Sequence, residues 1–382
     1  MVKHKLLKFI QMKKNILLMV CFLGLFACDN EKSVLPFDSD TEVSEIIEFK
    51  GLQIRVDGNF SKENLFQSDE EFAQDLQKEL NSNLRGGNES LEISNEEFKA
   101  FIWSEYQNLP RLNVSEKSIE HFDILKKDFL DIDNMDKVFE NSGTIVDFYS
   151  IKLRNTLKLK IKELNFGKKN RSITSEDDSA NAMEISYGLS HPASAYAMLL
   201  ASGDANNMTD SKFFPDAHLI QDVKINAYRH ASWNMIGVHH MLNGGMFKND
   251  AIGKARDFAT LHEMIYVGNT NGIKPSAIPT WIYGLHVNWG LNTANANAMD
   301  LSNNSVGRSL IDDMTGWLKS SSLTKIKTAI DAKVVGTSSS NYRYSLTIIS
   351  TYHGNNWDAL ASNRFGGTST PLYIINVDYI TL

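Results

Sequence analysis

The sequence predicts an α+β fold, mainly α: a central helical bundle domain with a polar core cluster, a mixed N-terminal region and a short C-terminal β element. Three observations predict it. Apolar residues recur at helical spacing in most segments between residues 68 and 320. Alternating patterns are confined to the two ends, near residues 46–60 and 333–382. Three central segments read as helices yet carry polar groups where a core stripe belongs.

The N-terminus comes first. Lys13 and Lys14 precede an apolar run from Ile16 to Ala27, and Cys28 follows Leu25-Phe26-Ala27. A charged start, a short apolar run and a small residue before the cut make a secretory signal. A run of about a dozen residues is too short to span a ~30 Å hydrocarbon core as a helix. The cysteine directly after the small residue marks the lipoprotein kind of signal. Residues 1–27 are therefore expected to be removed and Cys28 to carry the lipid. Met12 would itself open a signal of conventional shape. The other cysteine, Cys21, lies in the part that is cut away, so the mature chain is expected to have neither free thiol nor disulfide. The expected location is the bacterial cell envelope, held on a membrane by the lipid and on the outer membrane in preference.

The composition is that of a globular protein, and the formal net charge of −7 comes with no basic tract after the signal. Nucleic-acid binding by phosphate neutralisation is therefore not expected. Residues 28–45 are polar and acidic and read as a flexible tether.

Residues 46–166 form the expected N-terminal, mainly helical region. Residues 46–60 alternate weakly, and Asp57-Gly58 is a hairpin-turn pair, so one or two short strands are expected there. Phe72, Leu76 and Leu80 stand four apart after an acidic start, which predicts a helix over 68–80. Further helices are expected over 95–107 and from about 115 to 164. Residues 131–136 (DIDNMD) lack the glycine and closing glutamate of a calcium loop and read as a solvated acidic turn. Residues 167–181 are rich in turn formers and poor in apolar ones, a candidate linker.

Residues 182–320 differ in character. Seven of the ten histidines fall here: His191, His218, His230, His239, His240, His262 and His286. In the first of the three helical segments, Asn226, Arg229, His230 and Trp233 stand at i, i+3, i+4 and i+7 and share a face. The second ends in His262-Glu263. In the third, Asp300, Asn303 or Asn304, Gly307 and Arg308 share a face. Each buried polar group left unpaired costs about 1–3 kcal/mol. The economical arrangement is one shared polar cluster inside a bundle, where carboxylate and histidine sites are often built.

The pattern Asn-Ala-x-Arg-His-Ala-x-Trp at 226–233, His-Glu at 262–263 and Met-Asp-x-x-Asn-Asn-x-x-Gly-Arg at 299–308 resembles a family of uncharacterised helical bacterial domains. Leu261 stands where that family is expected to prefer alanine, a difference of packing. The resemblance covers roughly residues 185–320 and implies a helical domain with a polar core, without a settled activity.

Two kinds of chemistry suit the cluster. His230 with Glu263 forms a base and its orienting carboxylate, and His230, His262, Glu263 and Asp300 are the catalytic candidates. The same four side chains alternatively bind one divalent metal, since mixed histidine and carboxylate ligands suit zinc, manganese or iron. No His-Glu-x-x-His spacing is present. Of His239 and His240, adjacent on a helix, only one can reach the cluster. Asn226, Arg229, Asn303, Asn304 and Arg308 are the substrate-binding candidates, with Arg229 and Arg308 either holding an anion or pairing with Glu263 and Asp300. The leading expectation is a hydrolase acting on an envelope or extracellular substrate. The alternative is a non-catalytic envelope-binding or scaffold lipoprotein whose polar network fixes the fold. Ser232 lacks a nucleophile-elbow context. Trp281, Trp289 and Trp317 read as core or lid residues, and the Gly- and Asn-rich stretch 284–297 as a loop beside the cluster. Residues 321–382 are expected to end in strands, from the alternation of Tyr342, Tyr344, Leu346 and Ile348 and the β-branched run 372–382.

Overall fold

The computed structural model describes residues 44–57, 60–83, 93–164, 179–180, 182–219, 223–262, 294–313 and 323–332. All of them fall within the compact unit Val43–Leu382. The expected signal, Cys28, most of the tether, linker residues 167–178, Glu263, the three tryptophans 281, 289 and 317, and the C-terminal strands lie outside the described residues. The fold is mainly α, with twelve α-helices and six short strands among the described residues.

Strand β1 (Glu45–Phe49) pairs antiparallel with β2 (Leu52–Val56), with Ile47 opposite Ile54 and Phe49 opposite Leu52. The reversal that joins them is at Lys50-Gly51; of the expected turn pair Asp57-Gly58, Gly58 lies outside the described residues. Lys50 and Gly51 both have positive φ (50° and 86°), the left-handed conformation that a two-residue hairpin needs and glycine tolerates best. Ile47, Phe49, Ile54 and Val56 all face inward.

Helices α1 (Lys62–Phe66) and α2 (Asp69–Asn83) follow. Each starts on a reciprocal cap. Ser61 and Asn64 exchange hydrogen bonds before α1, and Ser68 and Glu71 do so before α2. Phe72, Leu76 and Leu80 are fully buried on one face of α2, as their spacing predicts. Strand β3 (Ile93–Ser94) leads into α3 (Asn95–Tyr106), capped by Ser94.

Residues 115–120 depart from the helix expected to start near 115. With residues 111–114 they form a hairpin, β4 (Arg111–Asn113) with β5 (Ser118–Glu120). Asn113 Oδ1 accepts from Ser115 Oγ and Glu116 N, and Lys117 adopts φ +51°. That side-chain turn competes successfully with helix formation. Helices α4 (Phe122–Asp128), α5 (Met135–Glu140) and α6 (Ser142–Lys160) complete the region. The acidic turn at 131–136 braces its neighbours: Asp131 accepts from Gln53 N at 2.7 Å, and Asn134 caps α5.

Strand β6 (Ser179–Ala180), the end of the expected linker, pairs with β3. Beyond it come α7 (Ala182–Ser190), α8 (Pro192–Lys212), α9 (Val223–Asn243), α10 (Lys248–His262), α11 (Ala294–Asp313) and α12 (Leu323–Asp331). The stretch read as a loop to residue 297 already begins α11 at Ala294. Helix α9 is central and packs most extensively on α8 and α11.

Two apolar cores result. The first is aromatic: Phe148 of α6 touches Phe49, Phe60, Phe129 and Tyr149, with ring centroids 5.0–6.2 Å apart. The second runs through α2, α3, the later half of α6 and α7 to α12, so residues on both sides of the expected linker share it. No helix among the described residues is long and apolar enough to cross a membrane.

Candidate functional site

The polar residues of α9 and α11 form a ladder. Asn226, His230 and Asn234 stand four apart on α9; Asp300, Asn304 and Arg308 stand four apart on α11. Asn226 Nδ2 donates to Asp300 Oδ1 at 3.2 Å. His230 Nδ1 lies 3.2 Å from Asn304 Oδ1 and His230 Nε2 lies 3.5 Å from Asp300 Oδ1. Asn234 Nδ2 donates to the same Asn304 oxygen at 2.6 Å, and Arg308 Nη1 donates to Asn234 Oδ1 at 2.6 Å. Three rungs keep a constant sequence offset of 74. A constant offset means that the two helices run parallel, each turn of one facing the same turn of the other.

Gly307 sets how close they come. A Cβ there would lie 2.2 Å from the Ala231 carbonyl oxygen, so the backbones touch and only glycine fits. At that distance polar side chains beside the contact cannot retreat to solvent. His230, Asn234, Asn303, Asn304 and Arg308 are all buried. His230, Asn234, Asn304 and Arg308 are joined by hydrogen bonds, as buried polar groups require.

The inner end of the ladder is a charge cluster. Burial, with Arg256 nearby, lowers the Arg308 guanidinium to about 9, and Asp257 works against that fall. Arg256 pairs with Asp257 at 2.7 Å, and Tyr187 donates to the same carboxylate at 3.3 Å. Burial raises both Asp257 and Tyr187. Of the two alternatives for Arg308, pairing with Asp300 does not occur: two helical turns, about 12 Å of rise, separate them. Arg229 donates to Asn226 Oδ1 at 2.6 Å.

The outer side of the cluster opens on a cleft between α7, α8, α9 and α10. Its lining includes Glu184, Ser202, Arg229, His230, Trp233 and His262. The cleft encloses about 430 Å³, open space at its mouth included, of which about 30 Å³ admits the centre of a water molecule. It is a narrow slot that suits a small group and its water. His262 Nδ1 lies 2.8 Å from Glu184 Oε1, and that carboxylate is buried. The His230 and His262 rings are 6.4 Å apart. Trp233, held by a 2.8 Å hydrogen bond from its indole nitrogen to Met198 O, lies edge-on to His262 at 5.2 Å.

The carboxylate beside His262 is thus Glu184, which the sequence reading did not single out. Glu263, expected as the orienting carboxylate of His230, lies outside the described residues. One signal could have found Glu184: a lone acid flanked by Met183, Ile185 and Tyr187 in an otherwise apolar helix. Among the described residues no three His, Cys, Asp or Glu side chains converge as a metal would require. Three further histidines have partners of their own. His240 meets Asp204 at 2.8 Å, His218 meets Asp210 at 2.8 Å, and His191 meets Lys254 at 3.0 Å.

Residues 185–334 match a family described as a domain of unknown function (DUF6973). The match includes α8 to α12, both helices of the ladder and His262, and begins one residue after Glu184. No curated protein and no solved structure matches the chain.

Proposed function

We propose that the chain is an exported lipoprotein, anchored through Cys28 to an envelope membrane, whose helical domain carries a small acid–base site for hydrolysis. The observation that carries the catalytic part is the 2.8 Å contact between His262 and the buried Glu184 in a slot shared with His230 and Arg229. A buried carboxylate on one ring nitrogen fixes the tautomer and orientation of an imidazole and stabilises its protonated form, as a general base requires. In this reading His262 takes the proton of an attacking water and Glu184 orients it. His230, set by Asn304 and Asp300, serves the leaving group. Arg229 holds negative charge that develops on the substrate.

The cluster then divides by depth. Asn234, Asn303, Asn304 and Arg308 fix the helices, and the outer residues do the chemistry. The scaffold reading keeps one specific support, the run of buried hydrogen bonds that joins the two helices rung by rung. Wild type, His262→Gln and Glu184→Gln are compared on nitrophenyl esters, phosphoesters and glycosides, with metal content measured by elemental mass spectrometry. Turnover lost in both variants, with melting temperatures near wild type, supports the enzyme. No turnover and no bound metal, with only melting temperatures moved, leaves the scaffold. Cys28→Ala is expected to shift the protein from the membrane to the soluble fraction, and persistence on the membrane overturns the anchor.

A further inference from the structure

A second, larger groove lies away from the histidine slot, where the β4–β5 hairpin meets α3, the start of α8 and the end of α9. It exists because α9 stops there. Gly245 takes φ +92°, and Met246 N returns to Met241 O at 3.1 Å. The hairpin docks on that end, with Val114 N donating to Asn243 O and Ser115 N to Asn243 Oδ1. Leu112, Val146, Met241 and Met246 supply apolar lining. The groove encloses about 990 Å³, open space at its mouth included, of which about 320 Å³ admits the centre of a water molecule. That is room for a ligand, where the first slot has room for little more than solvent.

The lining is chemically unusual in three ways. It carries an aromatic cluster: Tyr196 stacks on Trp103 at 5.0 Å and meets Tyr106 edge-on at 5.5 Å. Its charges nearly cancel, since Arg111 is paired with Glu120 and His240 with Asp204. It also holds hydrogen-bonding groups with no partner among the described residues: the hydroxyls of Tyr106 and Tyr196 and the amide nitrogens of Asn113 and Asn243. The oxygens of both amides are held by the hairpin, which orients them. Burial raises both tyrosines, Tyr106 to about 12, so both hydroxyls stay protonated across physiological pH.

We infer that this groove binds a short neutral oligosaccharide. Sugar rings present apolar C–H faces and edges of hydroxyls that both donate and accept. Aromatic side chains meet the first, and fixed amides and phenols meet the second. An anionic ligand finds no uncompensated cation, because Arg111 is committed to Glu120. A cationic one finds, among the described lining residues, a single unpaired carboxylate, the exposed Glu116.

The test is calorimetric titration of the full chain, kept in a detergent without a sugar headgroup. The probes are cellohexaose, maltohexaose, xylohexaose, mannohexaose and chitohexaose. At least one is expected to bind. Tyr196→Ala should weaken it about tenfold, the loss of one aromatic contact. Ala193→Trp, which fills the groove from α8, should abolish it. Tyr196→Phe keeps the stack and should lose only the hydroxyl's share. His262→Gln should leave binding unchanged, which separates this site from the hydrolytic one. Binding by none of the five sugars overturns the inference. So does binding that survives Ala193→Trp in a protein that melts like wild type.

Discussion

The aromatic core around Phe148 and the polar seam between α9 and α11 are both buried, yet different physics holds each together. Around Phe148 the rings meet at 5.0–6.2 Å in edge and tilted arrangements. Such packing depends on volume and has little directional demand. Along the seam, amides, an imidazole, a carboxylate and a guanidinium meet at 2.6–3.5 Å. There each group depends on the identity of its partner. The aromatic region tolerates another apolar side chain of similar volume; the seam does not tolerate a change of partner. A core that specifies partners also specifies register, and here it fixes two parallel helices turn for turn.

The sharpest way to break the seam is through its backbone contact. Gly307→Val places atoms against the Ala231 carbonyl, which cannot yield as a side chain would. The expected loss is above about 4 kcal/mol, at the upper end for one substitution; urea unfolding measures it. In the aromatic core Phe148→Ala should cost about 3–5 kcal/mol and Phe148→Leu clearly less, because volume is what matters there. Equal costs for the two would mean that the core is directional after all.

Asn304→Leu, close to isosteric, should cost on the order of 2–4 kcal/mol, since it deprives both His230 and Asn234 of an acceptor at about 1–3 kcal/mol each. A neutral result would put the seam on the same footing as the aromatic core.

Acid provides a gentler probe. Burial lowers His239 to about 4, with His240 adding to the fall and Asp204 opposing it. Burial also lowers His191 well below 6.5, with Lys254 and Arg154 acting in the same direction. The unfolded chain binds protons on both below about pH 6.5, while the folded chain refuses them. Stability is therefore full above about pH 6.5 and falls as pH drops, and for His239 it levels off below about pH 4. The His239 share is at most about 3 kcal/mol. Melting scans of wild type and His239→Gln between pH 7 and 4 should converge toward the acid end. The smallest structural effect is expected at His262→Gln, which keeps a donor toward Glu184 and should move stability within about 1 kcal/mol. A large loss there would assign His262 to the fold.

Much of this was legible beforehand. The four-residue spacing of Phe72, Leu76 and Leu80 and the shared face of Asn226, His230 and Trp233 follow from the 3.6-residue period alone. The pairing of the two central segments could be anticipated because their polar residues recur every four. Other features were not legible. Asp57-Gly58 is the stronger turn signal, and only the pairing of Phe49 with Leu52 shows that the strands reverse at Lys50-Gly51. The hairpin at 111–120 depends on Asn113 turning back on Ser115 and Glu116, with the result docked on the end of α9.

The sequence by itself determined which helices are amphipathic, which residues would have to be buried as polar groups, and that those groups must satisfy one another. These are local matters of period and desolvation. Only the tertiary structure decided which partner each group takes: Glu184 for His262, Asn234 for Arg308, Asp204 for His240. Those pairs are 36 to 78 residues apart along the chain. Periodicity carries no information across such distances. A contact as close as Gly307 on Ala231 is settled only when two backbones meet.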